Sequence, residues 1–251
     1  MKTSVNVGDI FDFLNEKAPF STAEEWDNPG LLIGDRNLPV QRMLVTLDIT
    51  PAAVERAAVT GAQLIVSHHP VIFHPLRSLP AGSVPWLLAR HNIAAICAHT
   101  NLDMAVGGVN DTLAAVLDLS DVQTTADGLC RIGCLPAPMT PGNFARLAAQ
   151  RLRTAVRVWD GGRPVRRVGV CGGAGGDYVL PLTHEADALL TGEVRHHEWL
   201  EAAASGVTLV DAGHYATENP VTESLASWLR ERFPQADCLI YDNGAPYKTV
   251  G

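Results

Sequence analysis

The chain is poor in cysteine, in positive charge and in long apolar runs, and each shortage removes a class of protein. Its five cysteines, Cys97, Cys130, Cys134, Cys171 and Cys238, are odd in number and scattered among strand-like segments. A disulfide framework is therefore excluded, and reduced thiols are expected. Lys and Arg total 19 against 27 Asp and Glu, giving a formal net charge of -8. Non-specific nucleic-acid binding draws its affinity from cations that neutralise phosphate, so the balance disfavours it. No stretch approaches the 18 or so uninterrupted apolar residues of a membrane span, and the opening Met1 to Val7 lacks the apolar core of a signal peptide. A cytoplasmic location is expected, with no membrane partner.

What the chain has in quantity is hydrophobic residues, 47% of the total, in alternating strand-like and helix-like stretches. Met43–Leu47, Gln63–Val66 and Ile93–Cys97 read as short buried strands in the first half. Val165–Val170, Ala188–Leu190, Val207–Val210 and Cys238–Tyr241 do so in the second. Helices are predicted over Val7–Leu14, from Thr50-Pro51 to Gly61, over Gly108–Leu119 with Asn110 or Asp111 near its start, and near 144–152, 196–204 and 221–233. Asn219-Pro220 repeats the cap-plus-proline signal. The Gly- and Pro-rich stretch from Asp127 to Gly142 reads as loops around one short strand and marks a boundary. The fold class is thus α/β, with two related lobes: residues 1–125 and residues 126–251, the C-terminal part free to pack back on the first lobe.

Three clusters carry the chemistry. Each follows a β-branched apolar run: Ser67-His68-His69-Pro70, His99-Thr100-Asn101-Leu102-Asp103 and Gly213-His214-Tyr215-Ala216-Thr217-Glu218. Carboxyl ends of parallel strands line one edge of a sheet, so a metal cleft at those ends is expected, with His68, His69, Asp103, His214 and Glu218 as ligands. Mixed imidazole and carboxylate donors suit Fe, Mn, Zn, Co or Ni better than Mg or Ca. Adjacent His68 and His69 would point apart on extended backbone, which favours two divalent ions per chain. His99 is read as a proton-transfer or ligand-orienting residue, with a sixth-ligand role as the alternative. His196 and His197 open a predicted helix; they are catalytic candidates for moving protons beside the metals, with a solvated face as the alternative.

Other features carry less. Cys171-Gly172-Gly173-Ala174-Gly175-Gly176-Asp177 offers a phosphate cradle, a tight turn that needs glycine, or both at once. Asp48 reads as a support for the site or a helix-start hydrogen-bond group, Trp26 as a core or interface anchor, and Cys130 and Cys134 as packing residues. Arg151, Arg153, Arg157, Arg163, Arg166 and Arg167 cluster mid-chain, as a solvated face would.

The three clusters, together with Trp26-Asp27-Asn28-Pro29-Gly30-Leu31-Leu32-Ile33-Gly34 and the run Asn101 to Asn110, resemble the Nif-three-like (YbgI-like) family, whose members are often called type 2 GTP cyclohydrolase I. The resemblance runs nearly end to end. It implies a dinuclear metal site on the five ligands above, two α/β lobes with no inserted extra domain, and a homo-hexameric ring. Pro29 stands where a valine-like residue is expected, a departure that leaves the metal residues untouched. The resulting expectation is a metal-dependent hydrolase that activates water against a nucleotide or related small molecule, with GTP as the candidate that the family's naming suggests. The alternative is a ring-shaped metal-binding scaffold, contacting protein partners or nucleic acid.

Overall fold

Helix boundaries follow local chemistry. Asn6 and Asp9 form a reciprocal capping box that starts helix Val7–Lys17. Thr50 accepts a hydrogen bond from the Ala53 amide, and Pro51 opens helix Pro51–Thr60, which ends at Gly61 in the left-handed region (φ 70°). Thr140 and Pro141 repeat this start for Pro141–Leu152. In the computed structural model, which describes residues 4–248, these helices accompany two main sheets in two structural units.

The first unit comprises residues 4–108 and 221–246. Its sheet has the strand order Asp237–Ile240, Arg42–Thr46, Leu64–Ser67, Ala94–Cys97, Gly30–Ile33, with the first four parallel and the last antiparallel. Pro29 immediately precedes that edge strand, a position where its missing N–H costs no ladder bond. The central strands are fully buried, and Leu44 and Ile65 pack with Val54, Ala57, Leu88 and Ala95 in one cluster.

The second unit contains residues 109–220 and the described end of the chain. Its sheet runs Ser120–Thr124, Arg131–Met139, Val165–Cys171, Ala188–Thr191, Thr208–Asp211, Arg157–Trp159, with a parallel centre and antiparallel flanks. Period-2 alternation sends Val168, Leu190 and Val210 into one core and Ile132, Leu189 and Leu209 into another. Both faces are therefore covered.

Two sequence readings need correction. The division falls after Gly108, not near residue 125. Helix Val109–Val116 packs on strands Arg131–Met139 and Val165–Cys171, while Asp237–Ile240 pairs with Arg42–Thr46 and carries the C-terminal part back to the first unit. The supposed loop region holds a nine-residue strand, Arg131–Met139. Its Pro136 and Pro138 lie where the register with Val165–Arg167 shifts, so they interrupt no regular ladder. Asn110, expected near the helix start, is the second residue of the helix, and its side chain accepts from the Gly172 amide and donates to the Leu129 carbonyl, tying two loops to it.

Candidate metal centre

Strand Leu64–Ser67 ends at the first histidine pair, and its neighbours hold that end rigid. The His69 amide donates to the Leu47 carbonyl, and the Ser67 hydroxyl to the His69 carbonyl. The Cys97 thiol donates to the His68 carbonyl at 2.9 Å. Burial, with the charges of Asp27 and Asp103, keeps that thiol well above its ordinary pKa, so Cys97 acts as a neutral donor.

Behind the imidazoles of His68, His69 and His99 stands an oxygen. His68, fully buried, places Nδ1 2.9 Å from the Ala98 carbonyl; His69 Nδ1 lies 2.7 Å from Asp48; His99 Nδ1 lies 2.8 Å from Asp27. A carbonyl or carboxylate oxygen can only accept, so Nδ1 carries the proton and Nε2 presents its lone pair. This is the arrangement by which outer groups orient metal-binding histidines. His68, His69 and His99 bring one ring nitrogen each within 4.8 Å of one another, with ring centroids 5.0 to 5.6 Å apart. His68 and His69, expected to point apart, have ring centroids 5.0 Å from one another. The strand stops at Ser67, and beyond it side chains no longer alternate across a sheet.

Asp103 sits on the short helix Thr100–Met104, its Oδ1 3.6 Å from His68 Nε2. Asp27 anchors the start of that helix: one carboxylate oxygen takes His99, the other takes the Thr100 amide and hydroxyl at 3.1 and 2.6 Å. Burial alone would raise the Asp27 pKa, but hydrogen bonds from His99 and Thr100 outweigh it and pull the carboxyl down to about 2. Asp27 is therefore a fixed anion. Sequence reasoning noticed its segment only as part of a resemblance and gave it no role. Asn101 adds to the frame by accepting from the His99 amide and donating to the Ala18 carbonyl. Asp48 proves to be the His69 support, while Thr50 caps the helix that follows. An adjoining cavity of about 520 Å3 is lined by His69, Asp48, Val71, Tyr241 and Asn243 among others.

In the second unit, helix His214–Glu218 puts His214 and Glu218 one turn apart, Nε2 to Oε2 3.0 Å. His214 Nδ1 lies 3.0 Å from Glu193, so its tautomer is set as in the first unit. Here the glycine-rich loop finds its purpose. Its amides are spent inward, Gly172 to Asn110, Gly173 to Thr217 and Gly175 to Thr191. At Gly173 (φ 61°) a Cβ would lie 2.1 Å from the Glu218 carboxylate. The loop is a close-packed wall behind Glu218. His214 also lines a cavity of about 540 Å3 with Arg157, Glu193, Arg195 and Asp211.

Other expectations do not gather at the site. His196 and His197 are exposed at the start of helix His196–Ser205, outside the cavity that His214 lines. Trp26 is no core anchor; it is 59% exposed. Of the clustered arginines, Arg151 pairs with Asp118, Arg157 with Asp211, and Arg163 bonds the Gly206 carbonyl. All five cysteines are free thiols, and Cys130 is buried in the second core.

The donor groups could hold a metal ion, and comparison with known proteins places the chain in a family. A model of the Duf34/NIF3 (NGG1p interacting factor 3) family matches residues 5–244. The chain belongs to the NIF3 family. A Streptomyces coelicolor protein called GTP cyclohydrolase 1 type 2 homolog is 36% identical over 245 residues, covering 90% of this chain and 86% of its own. A Lactococcus lactis protein of the same name is 33% identical over 220 residues, covering 82% and 86%. A hypothetical Staphylococcus aureus protein of solved structure superposes with a TM-score of 0.92 at 28% identity over 98% of this chain and 99% of its own. A Bacillus cereus protein related to NIF3 shares the fold, with a TM-score of 0.90 at 24% identity over 98% and 99%. This NIF3 member is an α/β protein with no inserted domain, and among its described residues no helix is long and apolar enough to cross a membrane.

Proposed function

We propose that this protein is a metal-dependent hydrolase of a nucleotide-like small molecule, with His68, His69, Asp103, His214 and Glu218 holding two divalent transition-metal ions, of Mn, Fe, Zn, Co or Ni. The observation that carries the reading is shared by four histidines: each has an oxygen acceptor at Nδ1 and so offers Nε2. Bound ions of this kind bring the ionisation of water toward neutral pH and polarise a substrate oxygen. The chain's own residues supply the rest. Asp27, ionised at all working pH values, holds the Nδ1 proton of His99 and stabilises the ring when Nε2 takes up a proton. His99 is thereby suited to move protons beside the ligands without serving as one. The names of the relatives make GTP ring opening the first reaction to try. We further propose a homo-hexamer working in the cytoplasm.

Elemental analysis of protein purified without chelator tests the metal reading, with two ions per chain expected. His68→Ala and Asp103→Ala should lose metal and activity together. His99→Ala should keep most of the metal and lose turnover, and His197→Gln should match wild type. A metal content near one, unchanged on adding Mn, Fe or Zn, overturns the dinuclear count. A fully metallated protein that turns over no member of a nucleotide and phosphoester panel shifts the assignment to a ring-shaped scaffold, and a light-scattering mass far from six chains of 26.8 kDa overturns the ring.

A further inference from the structure

Trp26 is out of place for a tryptophan. It is 59% exposed, and Phe73 beside it is 39% exposed, with ring centroids 5.9 Å apart and planes tilted by 46°. Neither ring is there for want of local structure. Asp27, next in sequence to Trp26, is fixed by His99 and Thr100, and the Asn28 side chain donates to the Ile72 carbonyl at 2.6 Å, joining the two segments that carry the rings. Both rings stand nearly perpendicular to the His99 imidazole, with centroids 6.2 and 6.3 Å away and interplanar angles of 79° and 81°. An exposed aromatic pair is thus locked in place at the border of the histidine cluster.

We propose that Trp26 and Phe73 form a stacking wall for a planar heteroaromatic ring of the ligand, making Trp26 a specificity-determining residue. Exposed apolar surface that is rigid and adjoins polar chemistry marks a binding site. The rings border the histidine cluster, 6.2 and 6.3 Å from the His99 imidazole, which puts a ligand of that site, rather than a second copy of the chain, against them. Stacking also explains why aromatic residues are used: every nucleobase or similar ring has a π face, and alanine substitution of a stacking residue weakens binding by about tenfold or more.

The proposal rests on the hydrolase reading for the identity of the site as a substrate site, but its test needs no turnover. Binding of GMP, AMP, UMP and ribose 5-phosphate to metal-replete protein is measured by isothermal titration for wild type, Trp26→Ala and Trp26→Phe, with metal content checked in each. The expected result is that Trp26→Ala weakens the three nucleotides by at least about tenfold, Trp26→Phe restores most of the affinity, and ribose 5-phosphate binds all three proteins alike. Equal weakening of ribose 5-phosphate, no effect of Trp26→Ala, or no nucleotide binding by wild type overturns the wall. A fall in particle mass for Trp26→Ala in light scattering, with nucleotide affinity unchanged, assigns the pair to a subunit interface. Loss of hydrolysis with the binding pattern intact would refute the hydrolase reading alone.

Discussion

The two units orient their candidate ligands by different means. In the first, side-chain and backbone oxygens stand behind the imidazoles: Ala98 behind His68, Asp48 behind His69, Asp27 behind His99. In the second, the backbone does most of the work, with Gly173 pressed against the Glu218 carboxylate and Thr217 receiving the Gly173 amide. His214 alone has a side-chain acceptor there, Glu193, and that carboxylate is 60% exposed. The lesson is that rigidity behind a donor can come from a hydrogen bond or from steric contact, and the two fail differently. A hydrogen bond can be weakened by one atom's change, whereas a steric wall can only be displaced.

The steric wall should show the largest effect. Gly173→Ala would place a methyl 2.1 Å from Glu218 Oε1 and force alanine into the left-handed region. The backbone strain alone costs about 1–2 kcal/mol, and the carboxylate must move. The expected outcome is a lower melting temperature together with at least about 100-fold weaker metal binding, measured by chelator competition. Metal affinity within threefold of wild type would show that Glu218 is not held by this contact.

The hydrogen-bonded support of the first unit comes next. Asp27→Asn keeps the shape but gives up the anion behind His99, so turnover should fall about 10- to 100-fold with most metal retained. The acid limb of stability should change too. Because the folded pKa, about 2, lies below the ordinary 3.8, the Asp27 contribution is complete above pH 3.8 and is lost as pH falls through about 2. Denaturant titrations between pH 4 and 2 should therefore show a shallower decline for Asp27→Asn than for wild type, a difference of at most about 2 kcal/mol. Parallel declines would mean that the anion contributes nothing to the fold.

Much of this frame could be read from the residues alone, and what could not has identifiable causes. The parallel strands and capped helices announce themselves because each is encoded within a few residues, as in Thr50-Pro51 through Gly61. His68, Asp103 and Glu218 could be singled out as candidates because they follow strands whose ends must line a sheet edge. Asp27 was not, since its partners His99 and Thr100 lie more than seventy residues away and a lone aspartate in a loop has no local signature. The strand Arg131–Met139 was obscured by prolines whose tolerance depends on a register shift against Val165–Arg167. Trp26 misled for a related reason: composition says that tryptophan is usually covered, and only the anchoring of its neighbours shows that it is held outside.

The smallest expected effect separates the exposed support from the buried Asp27. Glu193 touches His214 Nδ1 from the surface, its side chain 60% exposed, so water can take its place as acceptor with little loss. Exposed ion pairs contribute about 0.2–1 kcal/mol, and their effect shrinks with salt. Glu193→Gln keeps a side-chain oxygen able to accept the Nδ1 proton and removes only the charge. Metal affinity should accordingly fall by no more than about fivefold at low ionic strength, and by less at 0.5 M salt. A loss as large as that of Asp27→Asn, unchanged by salt, would show that surface and buried carboxylates orient their histidines equally, and would erase the distinction between the two units.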